Sequence, residues 1–152
     1  VNFRGPARIV NGLVSPPYRT LVIRRLMFKH AEALAEKVGA EALATGESVA
    51  QAASQTIRNL YLISRDLRLP VLRPLSGSDK DEIVKEAIRI GTFDLNKKQV
   101  EVCGLAATPT PRGNPRDFEV EYDKVAGIPV PEPIELDLRA HSLRELLEKL
   151  GL

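Results

Sequence analysis

Residues 40–63 read AEALATGESVAQAASQTIRNLYLI, and the fold turns on how this stretch is divided. AEALA, 40–44, is short enough for a buried strand, although its composition would also suit a helix. Its flanks decide for the strand, with Gly39 before it and Thr45-Gly46 after it. The segment beyond, ESVAQAASQTIRNLYLI, reads as a helix with Ala50 or Ala53, Ile57, Leu60 and Tyr61 turned toward the core. Residues 45–56, TGESVAQAASQT, are almost entirely small and polar, where a segment built only to pack would carry Leu or Ile at helical spacing.

Working outward, residues 18–40, YRTLVIRRLMFKHAEALAEKVGA, place Ile23, Met27, His30, Leu34 and Val38 on one helical stripe, with Gly39 as the C-terminal cap. His30 on that stripe reads as a partly buried, hydrogen-bonded histidine rather than a ligand or base. Downstream, LPVLRPL at 69–75 reads as a second strand, followed by the polar break SGSDKDE. Ser78 is the expected N-cap of a helix through Ile90, with Ile83, Val84, Ala87 and Ile88 inward and Gly91 closing it. Helix, strand, helix, strand, helix at this spacing is the pattern of βαβ units, so the fold class is α/β with a parallel sheet. Ligands of such sheets bind outside the carboxyl ends of the strands, which singles out residues 45–48 and 76–80.

The remainder is less regular. Residues 1–17 hold Gly5, Pro6, Gly12, Pro16 and Pro17 and read as an irregular N-terminal segment with a short extended piece. Residues 92–115 show little periodicity, FEVEY at 118–122 reads as an edge strand, and GIPVPEP is a linker. IELDL alternates like a short strand. SLRELLEKLGL, 142–152, reads as an amphipathic helix with a Ser142–Glu145 capping box. The expected division is therefore 1–17, a main domain over 18–126, and a linker with a C-terminal helix over 127–152.

A chain of 152 residues with 43% apolar content is long enough to bury one core. Its apolar stretches are interrupted well short of the roughly 18 residues that a membrane-spanning helix needs, so a soluble, cytoplasmic protein is expected. The single cysteine, Cys103, excludes an internal disulfide framework. The net charge of +2 hides an asymmetry. Six bases and no acid lie in residues 1–31, whereas nine acids face four bases in 117–152. That distribution suits nucleic-acid contact through the basic part, and equally suits pairing of the two ends or of two subunits.

Two loops invite chemistry. SGSDK, 76–80, follows a strand and opens a helix, where backbone N–H groups favour an anion; an acidic, Ser-capped first turn also occurs for structural reasons alone. In TGES, Gly46 permits close approach of a ligand, and Ser48, Gln51, Ser54, Gln55 and Thr56 offer donors and acceptors. Cys103 is either a buried small apolar residue or a reactive thiol, and Lys97, Lys98 and Arg112, nearby in sequence, would favour the thiolate.

The segments RRLM (24–27), ATGESVAQAASQT (44–56), LPVLRPLSGSDKDEI (69–83), RIGTFD (89–94) and VCG (102–104), in this order and spacing, make residues 18–122 resemble a known family. They resemble the later half of the PP-loop ATP-pyrophosphatase domain of tRNA 4-thiouridine synthases, sulfurtransferases also linked to thiamine biosynthesis. The resemblance implies an adenine-nucleotide-hydrolase-like three-layer fold without its first strands. It also implies adenylation of a tRNA uridine by ATP with Mg, then sulfur transfer from a persulfide. On that basis Lys80, with Asp79 beside it, serves the activation step and Cys103 receives or resolves the sulfur. Arg24, Arg25, Thr45, Gly46, Glu47, Ser48, Gln51, Ser54, Gln55 and Arg73 line the nucleotide and tRNA side.

The family's S-G-G-x-D-S pyrophosphate loop is absent from the sequence, and SGSDK occupies the place of a later G-x-D-K element. The opening VNF aligns with the middle of the family's domain, as a GTG start, a truncated gene or a split protein would produce. The expectation is a component that is inactive until a PP-loop-bearing half completes it, with a cysteine desulfurase as sulfur donor and a homo-oligomeric state. The alternative is a catalytically silent, homodimeric module that binds tRNA or a protein partner.

Overall fold

The computed structural model describes residues 3–49, 55–96, 113–129 and Glu145. Helix α2, Arg19–Lys37, is the axis of the fold, and α1 (Arg4–Leu13), α3 (Ile57–Ser64) and α6 (Pro115–Asp123) pack on it. Strands β1 (Leu43–Ala44) and β2 (Val71–Leu72) pair in parallel, with Leu43 opposite Val71 and Ala44 opposite Leu72. The chain passes from one strand to the other through α3, so the βαβ unit and the α/β class hold. Helix α4, Lys80–Arg89, follows β2, and the short α5, Phe93–Asn96, follows α4.

The core-facing side of α2 differs from the expected stripe. Ile23 and His30 are buried, but Met27, Leu34 and Val38 are exposed. The buried positions include Leu21, Arg25, Phe28, Glu32 and Ala35, a helical row in which two members are charged. Both charges are satisfied at a distance. Arg25 pairs with Asp66 and, at 2.8 Å, with Glu119, while its guanidinium lies 4.2 Å from the Tyr122 ring centre. Glu32 accepts the backbone N–H groups of Arg68 and Leu69. A hydropathy pattern does not register such partners, which is why it selected the neighbouring stripe.

Three local expectations are corrected. Residues 4–13 are helical, not irregular: Pro6 sits in the first turn, where its missing N–H has no intrahelical acceptor to lose. Pro6, Ala7 and Val10 then bury one face against α2. FEVEY belongs to α6 rather than to an edge strand. Asn114 caps that helix by accepting the Arg116 N–H at 2.9 Å, and Pro115 opens it. The apolar period is Phe118, Tyr122, Val125, while Val120, which a strand would place on the Phe118 face, is exposed.

The third correction concerns α3. It starts only at Ile57, with Thr56 as N-cap accepting the Asn59 N–H at 3.2 Å, and residues 45–49 are not helical. Ile57 and Tyr61 are exposed, and Asn59, Leu60, Leu62 and Ile63 face the core. Each fully buried Leu or Ile side chain of this kind contributes about 1.5–3 kcal/mol.

Gly39 and Gly91 close α2 and α4 at φ of 73° and 78°. Both ends are Schellman turns, with Ala40 N–H returning to the Ala35 carbonyl at 2.8 Å and Thr92 N–H to Ala87 at 2.9 Å. Helix α4 buries none of its residues; Ile83, Val84 and Ala87 are half-buried and Ile88 is exposed. Residues 97–112, IELDL and all of SLRELLEKLGL except Glu145 lie outside the described residues. No helix among the described residues is long and apolar enough to cross a membrane.

Candidate functional site

The parallel pair brings the two loops singled out by sequence to one place. Each leaves the carboxyl end of its strand, and Thr45 N–H still bonds the Leu72 carbonyl at 3.0 Å as β1 ends. Beyond it, Ser48 Oγ donates to the Ser78 carbonyl at 3.0 Å, and Val49 N–H to the Ser76 carbonyl at 3.3 Å. Ser48 N–H donates to Gln55 Oε1 at 2.9 Å, which folds the TGES loop back on the approach to α3.

Charge is concentrated behind this junction. Glu47, 7% exposed, accepts from Arg24 of α2, from Arg73 Nε at 2.7 Å and from Thr45 Oγ1 at 3.1 Å. Arg73, just past β2, also reaches Ser64 Oγ at 3.0 Å, and its guanidinium lies 5.9 Å from the Phe28 ring centre. Burying one carboxylate here is feasible because two cations and a hydroxyl surround it.

At the mouth stands the start of α4. Asp79, rather than Ser78, is the N-cap: it accepts the Glu82 N–H at 2.9 Å, and Glu82 accepts the Asp79 N–H at 3.1 Å, a reciprocal capping box. Lys80 is the first helical residue and is exposed. A lysine there stands beside first-turn amides that have no intrahelical acceptor, the arrangement that suits phosphate oxygens. Gly46 has neither a positive φ nor a crowded Cβ position, since the nearest atom, Leu75 Cδ1, is 4.0 Å away. Among the described residues, nothing requires glycine there.

Of the residues expected at the site, Thr45, Gly46, Glu47, Ser48, Gln55, Arg24, Arg73, Asp79 and Lys80 are gathered around the two loops. Arg25 is not: it is 3% exposed and engaged by Asp66, Glu119 and the rings of α6. Gln51, Ser54 and Cys103 lie outside the described residues. Sequence reasoning missed Asn59, fully buried, whose Oδ1 accepts the Gly113 N–H at 2.8 Å and fixes the chain where α6 begins. Its signal is a lone amide within the apolar run IRNLYLI.

Among the described residues, no three His, Cys, Asp or Glu side chains are grouped so as to hold a metal ion. Away from these loops, a half-open depression of about 260 Å³ lies between α4 and α5, lined by Ile88, Gly91, Phe93 and Asp94.

A family model described as "Thiamine biosynthesis protein (ThiI)" matches residues 2–126. The chain is similar to the "Probable tRNA sulfurtransferase" of Aeropyrum pernix, with 59% identity over 152 residues, covering 100% of this chain and 38% of that protein. It is similar to the "Probable tRNA sulfurtransferase" of Thermus thermophilus, with 44% identity over 123 residues, covering 80% of this chain and 30% of that protein. Among solved structures it is similar to a 4-thiouridine synthetase in complex with RNA and bound ATP, at a TM-score of 0.76 and 38% identity, covering 86% of this chain and 34% of that one. The chain thus spans about a third of the length of the relatives it matches. With the family model covering most of its residues, the chain belongs to the thiamine biosynthesis protein (ThiI) family.

Proposed function

We propose that this chain forms one wall of the adenylation cleft of an ATP-dependent tRNA sulfurtransferase, and that it becomes active when a PP-loop-bearing half completes the site. The observation that carries the reading is the meeting of the TGES and SGSDK loops at the carboxyl ends of β1 and β2, with Ser48 on the Ser78 carbonyl. Gly46 puts no side chain at that junction, where the nearest described atom to a Cβ would be Leu75 Cδ1 at 4.0 Å. The solved relative is a 4-thiouridine synthetase with RNA and ATP, which supports the same two ligands for this chain.

In this reading the C4 oxygen of a tRNA uridine attacks the α-phosphorus of ATP and pyrophosphate leaves. The outer sulfur of a cysteine-bound persulfide then attacks C4, and AMP departs with the oxygen. A second thiol, supplied by a partner protein or a small-molecule thiol reductant, attacks the cysteine sulfur of the resulting disulfide, so that thiouridine leaves and a disulfide between the two thiols forms. Lys80 supplies a fixed positive charge toward phosphate oxygens as negative charge shifts during attack. Asp79 holds the first turn of α4, and so Lys80, in place. Ser48, Thr45 and Gln55 orient the nucleotide side, and Gln51 and Ser54 belong to the same wall. Arg24 and Arg73 set the positive character of the base of the cleft, whereas Arg25, held by Asp66 and Glu119, acts in the core and not at the cleft.

Cys103 is the sulfur acceptor, loaded by a cysteine desulfurase. The described residues offer no cluster for Mg, and no step is assigned to it. The protein acts in the cytoplasm and as a homo-oligomer.

Mixing the chain with a PP-loop-bearing fragment, ATP and unmodified tRNA tests the reading. Release of pyrophosphate and appearance of thiouridine, seen with neither part alone, is the expected result. Absence of both products in the mixture would refute a cleft shared between two parts.

A further inference from the structure

The two arginines at the base of the cleft direct their N–H groups inward. Arg24 and Arg73 both bond the Glu47 carboxylate, and their side chains are only 19% and 18% exposed. Arg73 continues to Ser64 Oγ at 3.0 Å and the Leu60 carbonyl at 3.4 Å. A single carboxylate therefore ties together α2, the loop after β1, the end of β2 and, through Arg73, α3. The residue after it, Ser48, is 3% exposed and reaches the carbonyl of Ser78, the residue immediately before the cap of α4. These bonds form a continuous path from Glu47 to the turn that carries Lys80.

We propose that Glu47 is a positioning residue: through Arg24, Arg73 and Ser48 it sets the place of the α4 N-terminus, and with it Lys80, against the end of β1. The proposal rests on the reading of Lys80 as a cleft residue, and it changes the roles of the arginines. As direct phosphate contacts they would have to be shared between Glu47 and the ligand, two anions competing for the same N–H groups. As partners of Glu47 they act on the ligand through the geometry of the loops.

Amide hydrogen exchange on the full 152-residue chain tests this, comparing wild type with Glu47→Gln, Ser48→Ala and Lys80→Ala. Losing a charged acceptor from the path should speed exchange about 10-fold or more in Glu47→Gln at two separated amides, Val49 and Glu82. Val49 N–H is held by Ser76 and Glu82 N–H by Asp79, and neither is bonded to Glu47 itself. Val10 and Val22, in the packed faces of α1 and α2, should be unchanged. Ser48→Ala should speed Glu82 while leaving Thr45, held by the Leu72 carbonyl, at its wild-type rate.

Faster exchange confined to 45–49, or spread evenly through α1 and α2, would overturn the proposal, the second outcome marking plain loss of stability. Should Glu47→Gln fail to fold, Glu47→Asp, which keeps the charge and shortens the reach, is expected to give the same local pattern. Lys80→Ala should leave Val49 exchange unchanged whatever it does to adenylation. Failure of the positioning role is thus separable from failure of the proposed chemistry. As a further check, Glu47→Gln should not strengthen binding of a tRNA transcript; tighter binding would mean that the arginines had been freed as phosphate ligands.

Discussion

At the scale of single residues, Gly113 shows how closely the core is filled where α6 enters it. A Cβ at this position would lie 2.8 Å from Leu62 Cδ1 and 3.2 Å from both Leu21 Cδ1 and Asn59 Oδ1. Leu21, Leu62 and Asn59 are fully buried and have little room to yield. Gly113→Ala is therefore expected to cost about 1–3 kcal/mol, read as a lower denaturant midpoint with an unchanged m-value. A midpoint equal to wild type would show that the α6 entrance is looser than this packing implies. The sequence RGNP marks a turn but gives no sign that its glycine is pressed against an asparagine 54 residues earlier.

At the scale of elements, the start of α4 sets the helix cap Asp79 beside Lys80, the residue proposed to act on phosphate. Asp79 closes a capping box, and asparagine at that position caps about equally well whereas alanine does not. Asp79→Asn is expected to keep the thermal midpoint of the wild type, and Asp79→Ala to lose about 1 kcal/mol. If adenylation falls only in Asp79→Ala, Asp79 acts by holding the helix; if it falls equally in both, the carboxylate itself is needed.

Elements were also where the sequence was most and least legible. Both strands, the helix ends at Gly39 and Gly91 and the two cleft loops could be read directly, because turn chemistry and strand-loop-helix order are local. The inward face of α2 could not, since Arg25 and Glu32 are made burial-competent by Asp66, Glu119 and the N–H groups of residues 68 and 69. FEVEY was misread because its alternation is broken only in three dimensions, where Val120 turns to solvent and the period becomes Phe118, Tyr122, Val125.

At the scale of the whole molecule, buried carboxylates make the fold sensitive to acid. Burial pushes the Glu32 carboxyl up, but the N–H groups of Leu69 and Arg68 and the charges of Lys29 and Arg68 outweigh it, leaving it below the ordinary 4.5. Burial likewise raises Glu121, and Lys124 together with the hydroxyl and N–H of Ser15 brings it below 4.5. A carboxyl with a depressed folded-state pKa stabilises fully above its unfolded value, and that contribution is lost as pH falls through the folded one. Stability should therefore hold from neutral pH to about 4.5 and decline below it. In the Glu32→Gln and Glu121→Gln double variant that decline should be shallower, as measured by urea unfolding across pH. An equally steep decline would assign acid sensitivity to other groups.

The same fold gathers nine of the expected site residues around the loops that follow β1 and β2 and the start of α4. The proposed function depends most on Lys80 acting on ATP-derived phosphate beside these loops. The direct measurement is transfer of radiolabelled AMP to tRNA by the completed enzyme carrying Lys80→Ala. Adenylated tRNA is expected to fall about 100-fold or more, with tRNA affinity and thermal midpoint unchanged. Undiminished transfer in a folded Lys80→Ala enzyme would contradict it.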